Sequence, residues 1–255
     1  MTTQDFVIRL FCFVDDLLGP QRRHVQARLW PSEIVTLGLL FALKGGSFRA
    51  FDRWAQRDLV ALFDELPDRT RLLRLLRVHQ HLTDRFLATP TFFTVIDTYG
   101  IQTLHPWRYQ RSPRQVGRKG WCNHRWIVGV KLCWLMNARG EVVAWDWNTA
   151  NTDDRRFLHV VEPLATQTVT LADVGFATPR APPCIKICRR GHWNERMLIE
   201  TGLSLVHRVC GLHHLGHRAA RYVRAHLAYV TALFNVLLNL DHPADGTLAI
   251  AQYSL

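Results

Sequence analysis

The chain has 255 residues, 48% hydrophobic and 21% charged, which excludes a disordered or low-complexity protein and leaves room for one large domain or two smaller ones. Its formal net charge is +11: residues 1–90 carry 13 Lys/Arg against 10 Asp/Glu, and residues 91–255 carry 19 against 11. A basic excess of this size favours a polyanionic partner, nucleic acid or an acidic membrane surface.

The opening stretch MTTQDFVIRLFCFVDDLLG has no basic leader, and Arg9, Asp15 and Asp16 break its apolar run, so it does not read as a signal peptide. No stretch approaches 18 uncharged apolar residues, and no membrane span or membrane partner is expected. The six cysteines (12, 122, 133, 184, 188, 210) are scattered, as in a reduced, cytoplasmic protein.

Up to about residue 90 the hydrophobic period is helical. PSEIVTLGLLFALKGG carries Pro31 and Glu33 in a first turn and Gly45–Gly46 as a stop. SFRAFDRWAQRDLVALFDEL starts at the N-cap candidate Ser47 and stops before Pro67. DRTRLLRLLRVHQHLTDRFL follows as a third helix, whose arginines 69, 71, 74 and 77 suit either DNA or plain solvent.

Beyond ATPT (88–91) the period changes. FFTVID reads as a strand ending on Asp97. RWIVGVKLCWLMN and EVVAWDWNT read as a hairpin around NARG, and DDRRFLHVVEPLA as a helix. TVTLAD is a strand ending on Asp173, CIKICR a short strand, and NERMLIE to LNL (240) mostly helix. The expected fold is α/β, a mixed sheet flanked by helices (91–240), preceded by a small all-helical region (1–90) and followed by a tail (241–255).

Asp97 and Asp173 end apolar strands 76 positions apart. Neighbouring strands would bring both carboxylates to one sheet edge, where a divalent cation relieves their repulsion. A third acid comes from HWNERMLIETGLSLVH: at 100° per residue Trp193, Glu200 and His207 fall on one line, Arg196 lies a turn before Glu200, and Ile199, Leu203, Val206 and Cys210 form an apolar stripe beside them. Asp153 and Asp154 read as helix-start residues, Asp154 being a supporting candidate. In HPWRYQRSPRQVGRKGWCNHRW, Arg108, Arg111, Arg114, Arg118, Lys119 and Arg125 interleave with Trp107, Tyr109, Trp121 and Trp126, a pattern suited to phosphates and unpaired bases. Cys184, Cys188 and His192 have zinc-like spacing without an evident fourth ligand.

The ordered set VID, LADVGF and RMLIE resembles the DDE transposases of bacterial insertion sequences, in which a strand-end Asp, a Leu-Ala-Asp-x-Gly-aromatic motif and a helical Glu supply the three acids. Trp193, Arg196, Glu200 and His207 match the spacing of that family's Tyr, Arg, Glu and Lys signature, keeping the Arg and Glu. Val174 stands where a Lys is common. IVGVKL and TANTDD resemble the family's Gly-x-Lys-Leu strand and Ala-Asn-x-x-Asp segment. The resemblance covers about 91–240, and the helical region before it looks like the N-terminal part of compact members. It implies a ribonuclease H-like fold, two Mg²⁺ ions (or Mn²⁺) held by Asp97, Asp173 and Glu200, and cleavage of transposon ends followed by strand transfer from the 3′-hydroxyl. It also implies terminal inverted repeats and target DNA as partners, a homo-oligomer on DNA, and Trp193, Arg196, His207 and the 108–125 basic residues along the strand. A catalytically silent DNA-binding relative and a metal-dependent nuclease without strand transfer are the alternatives.

Overall fold

The computed structural model describes residues 2–63, 65–111, 115–188, 196–212, 214–217 and 219–240. The chain divides into two compact units: Met1–Phe86 with Val209–Gly211 and the chain from Arg221 onward, and Leu87–Arg208 with Leu212–Ala220. The tail expected at 241–255 lies outside the described residues.

The first unit is helical: α1 (Thr3–Leu18), α2 (Pro31–Lys44), α3 (Phe48–Asp58), α4 (Arg69–His79) and a long last helix, Ala220–Leu240. Local chemistry sets the starts. Thr2 and Asp5 cap α1 reciprocally, Pro31 opens α2, Ser47 accepts from the Ala50 amide, and Asp68 accepts from the Thr70 and Arg71 amides. α4 stops at His79 and continues as a 3-10 stretch, Gln80–Phe86, so the third predicted helix is shorter than its sequence suggests. There the Thr83 hydroxyl donates to the Gln80 carbonyl (2.6 Å), competing with the regular α pattern.

Ala220–Leu240 is long and apolar enough by composition to cross a bilayer, with a hydropathy of 1.3, and 83% of that window is buried inside the protein. Its composition follows from its place as a core helix: the buried Tyr229 hydroxyl donates to the Leu76 carbonyl (3.0 Å), and Asn235 Nδ2 to the Phe86 carbonyl (2.8 Å). The sequence reading places this helix with residues 91–240, whereas the structure groups it with the helical unit.

The second unit is α/β. Six strands, β1 (Phe93–Leu104), β2 (Arg118–Cys122), β3 (Arg125–Asn137), β4 (Val142–Thr149), β5 (Val169–Ala172) and β6 (Ile185–Ile187), form one mixed sheet. The order is β2-β3-β1-β5-β6, with β4 also paired to β3. β3 is antiparallel to β1, β2 and β4, while β1, β5 and β6 are parallel. The predicted NARG turn joins β3 to β4, with the Gly140 amide donating to the Asn137 carbonyl (3.0 Å).

Two sequence expectations change. β1 does not end at Asp97: it runs on to Leu104, so Asp97 is an interior residue, because β3 continues as its antiparallel partner through Val128. DDRRFLHVVEPLA is not an α-helix but two 3-10 stretches, Asp154–Val160 and Glu162–Leu164. Pro163 has no amide to extend a helical ladder and disfavours helical backbone in the residue before it. These stretches pack Phe157, Leu158 and Val161 against Ile96, Cys133, Leu135, Ala172 and Phe176, covering one face of the sheet.

Candidate functional site

The parallel pairing of β1 and β5 fixes the two aspartates. Residues 93, 94 and 95 pair with 169, 170 and 171, a constant offset of 76 positions, and the same offset carries Asp97 to Asp173. Asp173 itself follows directly on Ala172, the last residue of β5, so continuing the register past the strand end carries it toward Asp97. Thr94 and Thr170 repeat the relationship three rows earlier, their hydroxyls 2.9 Å apart in the core.

Each carboxylate is held by a nearby main-chain amide. Asp97 Oδ1 accepts from the Thr98 amide (2.7 Å), and Asp173 Oδ1 from the Gly175 amide (2.9 Å), where Asp173 caps the 3-10 turn Val174–Phe176. Gly175 borders both carboxylates: a Cβ at this position would lie 3.0 Å from Asp173 Oδ1 and 3.1 Å from Asp154 Oδ2, so a side chain there would crowd them.

By strand alternation Asp97 and Tyr99 share the face of β1 opposite Ile96. The helix α5 (Arg196–Val209) approaches that face: the His207 ring lies 5.5 Å from the Tyr99 ring. Ile199, Leu203 and Val206 are buried, as their stripe predicts, and Glu200 and Ser204 are exposed beside them. Asp97, Asp173, Glu200, His207, Asn123 and His124 thus line one cleft of about 680 Å³. Arg196 is the first residue of α5, while Trp193 lies outside the described residues.

A smaller recess of about 280 Å³ shares Asp97, Thr98 and Asp173 with this cleft and adds Lys131 and Asp154. Asp154 is therefore a wall of the site, more than the start of a helical turn. Lys131, only 8% exposed, donates from Nζ to Asp154 Oδ1 and to the Thr152 carbonyl (both 2.8 Å). The two motif fragments IVGVKL and TANTDD thus meet in one ion pair. Burial first, then the negative charges of Asp97, Asp154 and Asp146, hold the neighbouring Cys133 thiol well above its ordinary pKa, keeping it neutral.

The basic segment is only partly a loop. Its second half is a hairpin, β2–β3, whose turn residues Asn123 and His124 both have left-handed backbone (φ 51° and 59°). The Asn123 side chain donates to the Gly100 carbonyl (3.0 Å), tying the turn to β1. Gly100 permits this approach, since a Cβ there would fall 2.3 Å from Cys122 Cβ. Trp121 and Trp126 pair across the hairpin edge to face at 5.6 Å, both more than half exposed, and Lys119 Nζ sits 5.2 Å from the Trp126 ring. Arg108, Arg111, Arg118 and Arg125 are exposed as well, with Trp107 beside Arg108, and Arg114 lies outside the described residues. The sequence pattern of basic and aromatic side chains lies on an exposed surface. The hairpin that displays it was missed, because Asn-His is an uncommon pair for a turn needing two left-handed residues.

In the helical unit, Arg71 alone of the four predicted arginines lines a pocket of about 260 Å³, with Arg22, Arg23, Arg28, His24 and His79. Three of those arginines come from the α1–α2 connection, PQRRHVQARLW, which carries no helical period and gave no signal beyond its charge.

Carboxylates are hard oxygen donors of the kind Mg²⁺ and Mn²⁺ prefer, so Asp97, Asp173 and Glu200 suit such ions chemically. Among the described residues no three His, Cys, Asp or Glu side chains are already gathered to hold an ion. His192 of the zinc-like spacing lies outside the described residues. Comparison of the chain with protein-family models, curated proteins and solved structures finds no match.

Proposed function

We propose that the chain is a DDE-type transposase whose α/β unit is a ribonuclease H-like catalytic domain. The observation that carries this reading is that Asp97 of β1, Asp173 at the end of the parallel β5 and Glu200 of α5 line the same cleft. A central β1, an antiparallel β3 on one side and parallel β5 and β6 on the other also support the ribonuclease H-like assignment.

Asp97, Asp173 and Glu200 would hold two Mg²⁺ ions, which when bound activate an oxygen nucleophile and stabilise the leaving oxygen of a phosphodiester. The protein's own contribution is placement. The Thr98 and Gly175 amides orient the two aspartates. His207, half-buried against Tyr99, faces the cleft where the family's Lys would meet a phosphate, and Arg196 starts the same helix. The β2–β3 hairpin presents Arg118, Lys119 and Arg125 for phosphates and Trp121 and Trp126 for bases, its turn forming part of the cleft wall. The basic rim around Arg22, Arg23, Arg28 and Arg71 supplies a second grip in the helical unit. Terminal inverted repeats and a target duplex are then the substrates, and a homo-oligomer supplies one cleft per transposon end.

The test is incubation of the protein with DNA carrying the ends of its own element and Mg²⁺. Nicking at the ends followed by joined products supports the transposase. Nicking without joining supports a nuclease. Binding with no nicking in Mg²⁺ or Mn²⁺ supports a DNA-binding relative.

Two further outcomes are expected. Lys119→Ala with Arg125→Ala should weaken DNA binding and make the slope of log K against log salt shallower by about 0.9 for each phosphate no longer neutralised, measured by fluorescence anisotropy across a salt series. Gly175→Ala should cost about 1–3 kcal/mol of stability in a denaturant titration, because the added methyl crowds two carboxylate oxygens at 3.0 and 3.1 Å. The same change should depress nicking more than the stability loss explains.

A further inference from the structure

We infer that Asp154, anchored by Lys131, is a positioning residue that fixes the Asp97 and Asp173 carboxylates. The inference rests on the metal-dependent reading of the cleft for its consequence, but not for its geometry. Thr98 is the link. Its amide donates to Asp97 Oδ1 (2.7 Å) while its hydroxyl donates to Asp154 Oδ1 (2.9 Å), so one residue ties together carboxylates that approach the sheet edge from opposite faces. Asp154 Oδ1 also receives the Lys131 ammonium (2.8 Å), which is bonded in turn to the Thr152 carbonyl (2.8 Å). That anchor is stiff, because Lys131 lies within β3 and its side chain is only 10% exposed.

The other oxygen of Asp154 and the second aspartate both border Gly175. Asp154 Oδ2 and Asp173 Oδ1 flank the same empty volume at Gly175, lying 3.1 Å and 3.0 Å from where a Cβ would stand. Asp154 therefore touches the surroundings of both strand aspartates, one through Thr98 and the other across Gly175. The ammonium of Lys131 offsets its charge, so it adds a fixed acceptor to the recess without adding a net negative charge. Groups that orient ligating side chains in this way typically change metal affinity about 10–100-fold when removed.

The experiment compares the wild type with Lys131→Met/Asp154→Ala, which removes both charges together and leaves no buried ammonium unpaired. Two readouts are used: exchange of the Thr98 amide by NMR without metal, and Mn²⁺ affinity by titration calorimetry. Faster exchange at Thr98, with the Val95 and Ile96 amides still protected, together with a 10–100-fold loss of Mn²⁺ affinity, supports the inference. Unchanged Thr98 exchange overturns it whatever the metal does, and so does unchanged Mn²⁺ affinity where the wild type binds. Loss of protection along the whole of β1 also overturns it, since the pair would then serve the fold alone. A wild type that binds no Mn²⁺ sinks the metal-dependent reading separately, and faster exchange confined to Thr98 would still support the positioning of Asp97.

Discussion

Asp173→Asn is expected to abolish Mg²⁺-dependent nicking at the ends of the element, by about a thousandfold or more, while leaving DNA binding within about twofold of wild type. A thousandfold corresponds to about 4 kcal/mol of transition-state stabilisation, the scale expected when a group that meets developing charge is neutralised. The choice of Asn matters. Asp173 Oδ1 accepts from the Gly175 amide at the start of a 3-10 turn, and Asn retains an oxygen for that bond, so the turn survives while the charge is lost. Asp97→Asn should behave alike, because the bond from the Thr98 amide to its Oδ1 is likewise preserved. Gel assays of nicking and anisotropy assays of binding on the same preparations decide the matter. Wild-type cleavage by either variant would remove the two aspartates from the chemistry.

The second large effect is on stability. Lys131→Met should destabilise the α/β unit by about 3 kcal/mol, near the low end for breaking a buried ion pair because the Asp154 side chain keeps 25% of its exposure. Among the described residues, Asp154 would then hold a charge in the recess with only the Thr98 hydroxyl still donating to Oδ1. Adding Asp154→Asn should recover most of the loss, since replacing both members of such a pair costs far less than orphaning one. Denaturant melts of the two single variants and the double variant measure the coupling directly. A single-variant cost of about 0.5 kcal/mol or less would place the pair among surface ion pairs, contrary to the burial of Lys131.

Much of this site could be read along the chain, for identifiable reasons. VID and LAD are short runs of strand formers that stop on an acid, and 76 positions between them became the register of a parallel pair. Glu200 and His207 were legible because one heptad returns a helix to the same line, and the buried Ile199, Leu203 and Val206 beside them show that the helical phase was right. What escaped depended on partners remote in sequence. Asp97 read as the end of a strand, since TYGIQTL has no clean alternation; β3 extends it by pairing from the other side. Asp154 does start a helical turn, as read, but nothing local announces a lysine 23 positions earlier reaching its carboxylate. The grouping of the last helix with the helical unit has no local signal, since an apolar stretch says that it is buried without saying in which core.

Because strand pairing alone sets the offset between Asp97 and Asp173, the 75 residues separating them are an excursion that leaves from and returns to fixed points. That excursion holds the rest of β1, all of β2, β3 and β4 and the Lys131–Asp154 pair, so the distance between the two acids is closed by the sheet itself and not by a loop.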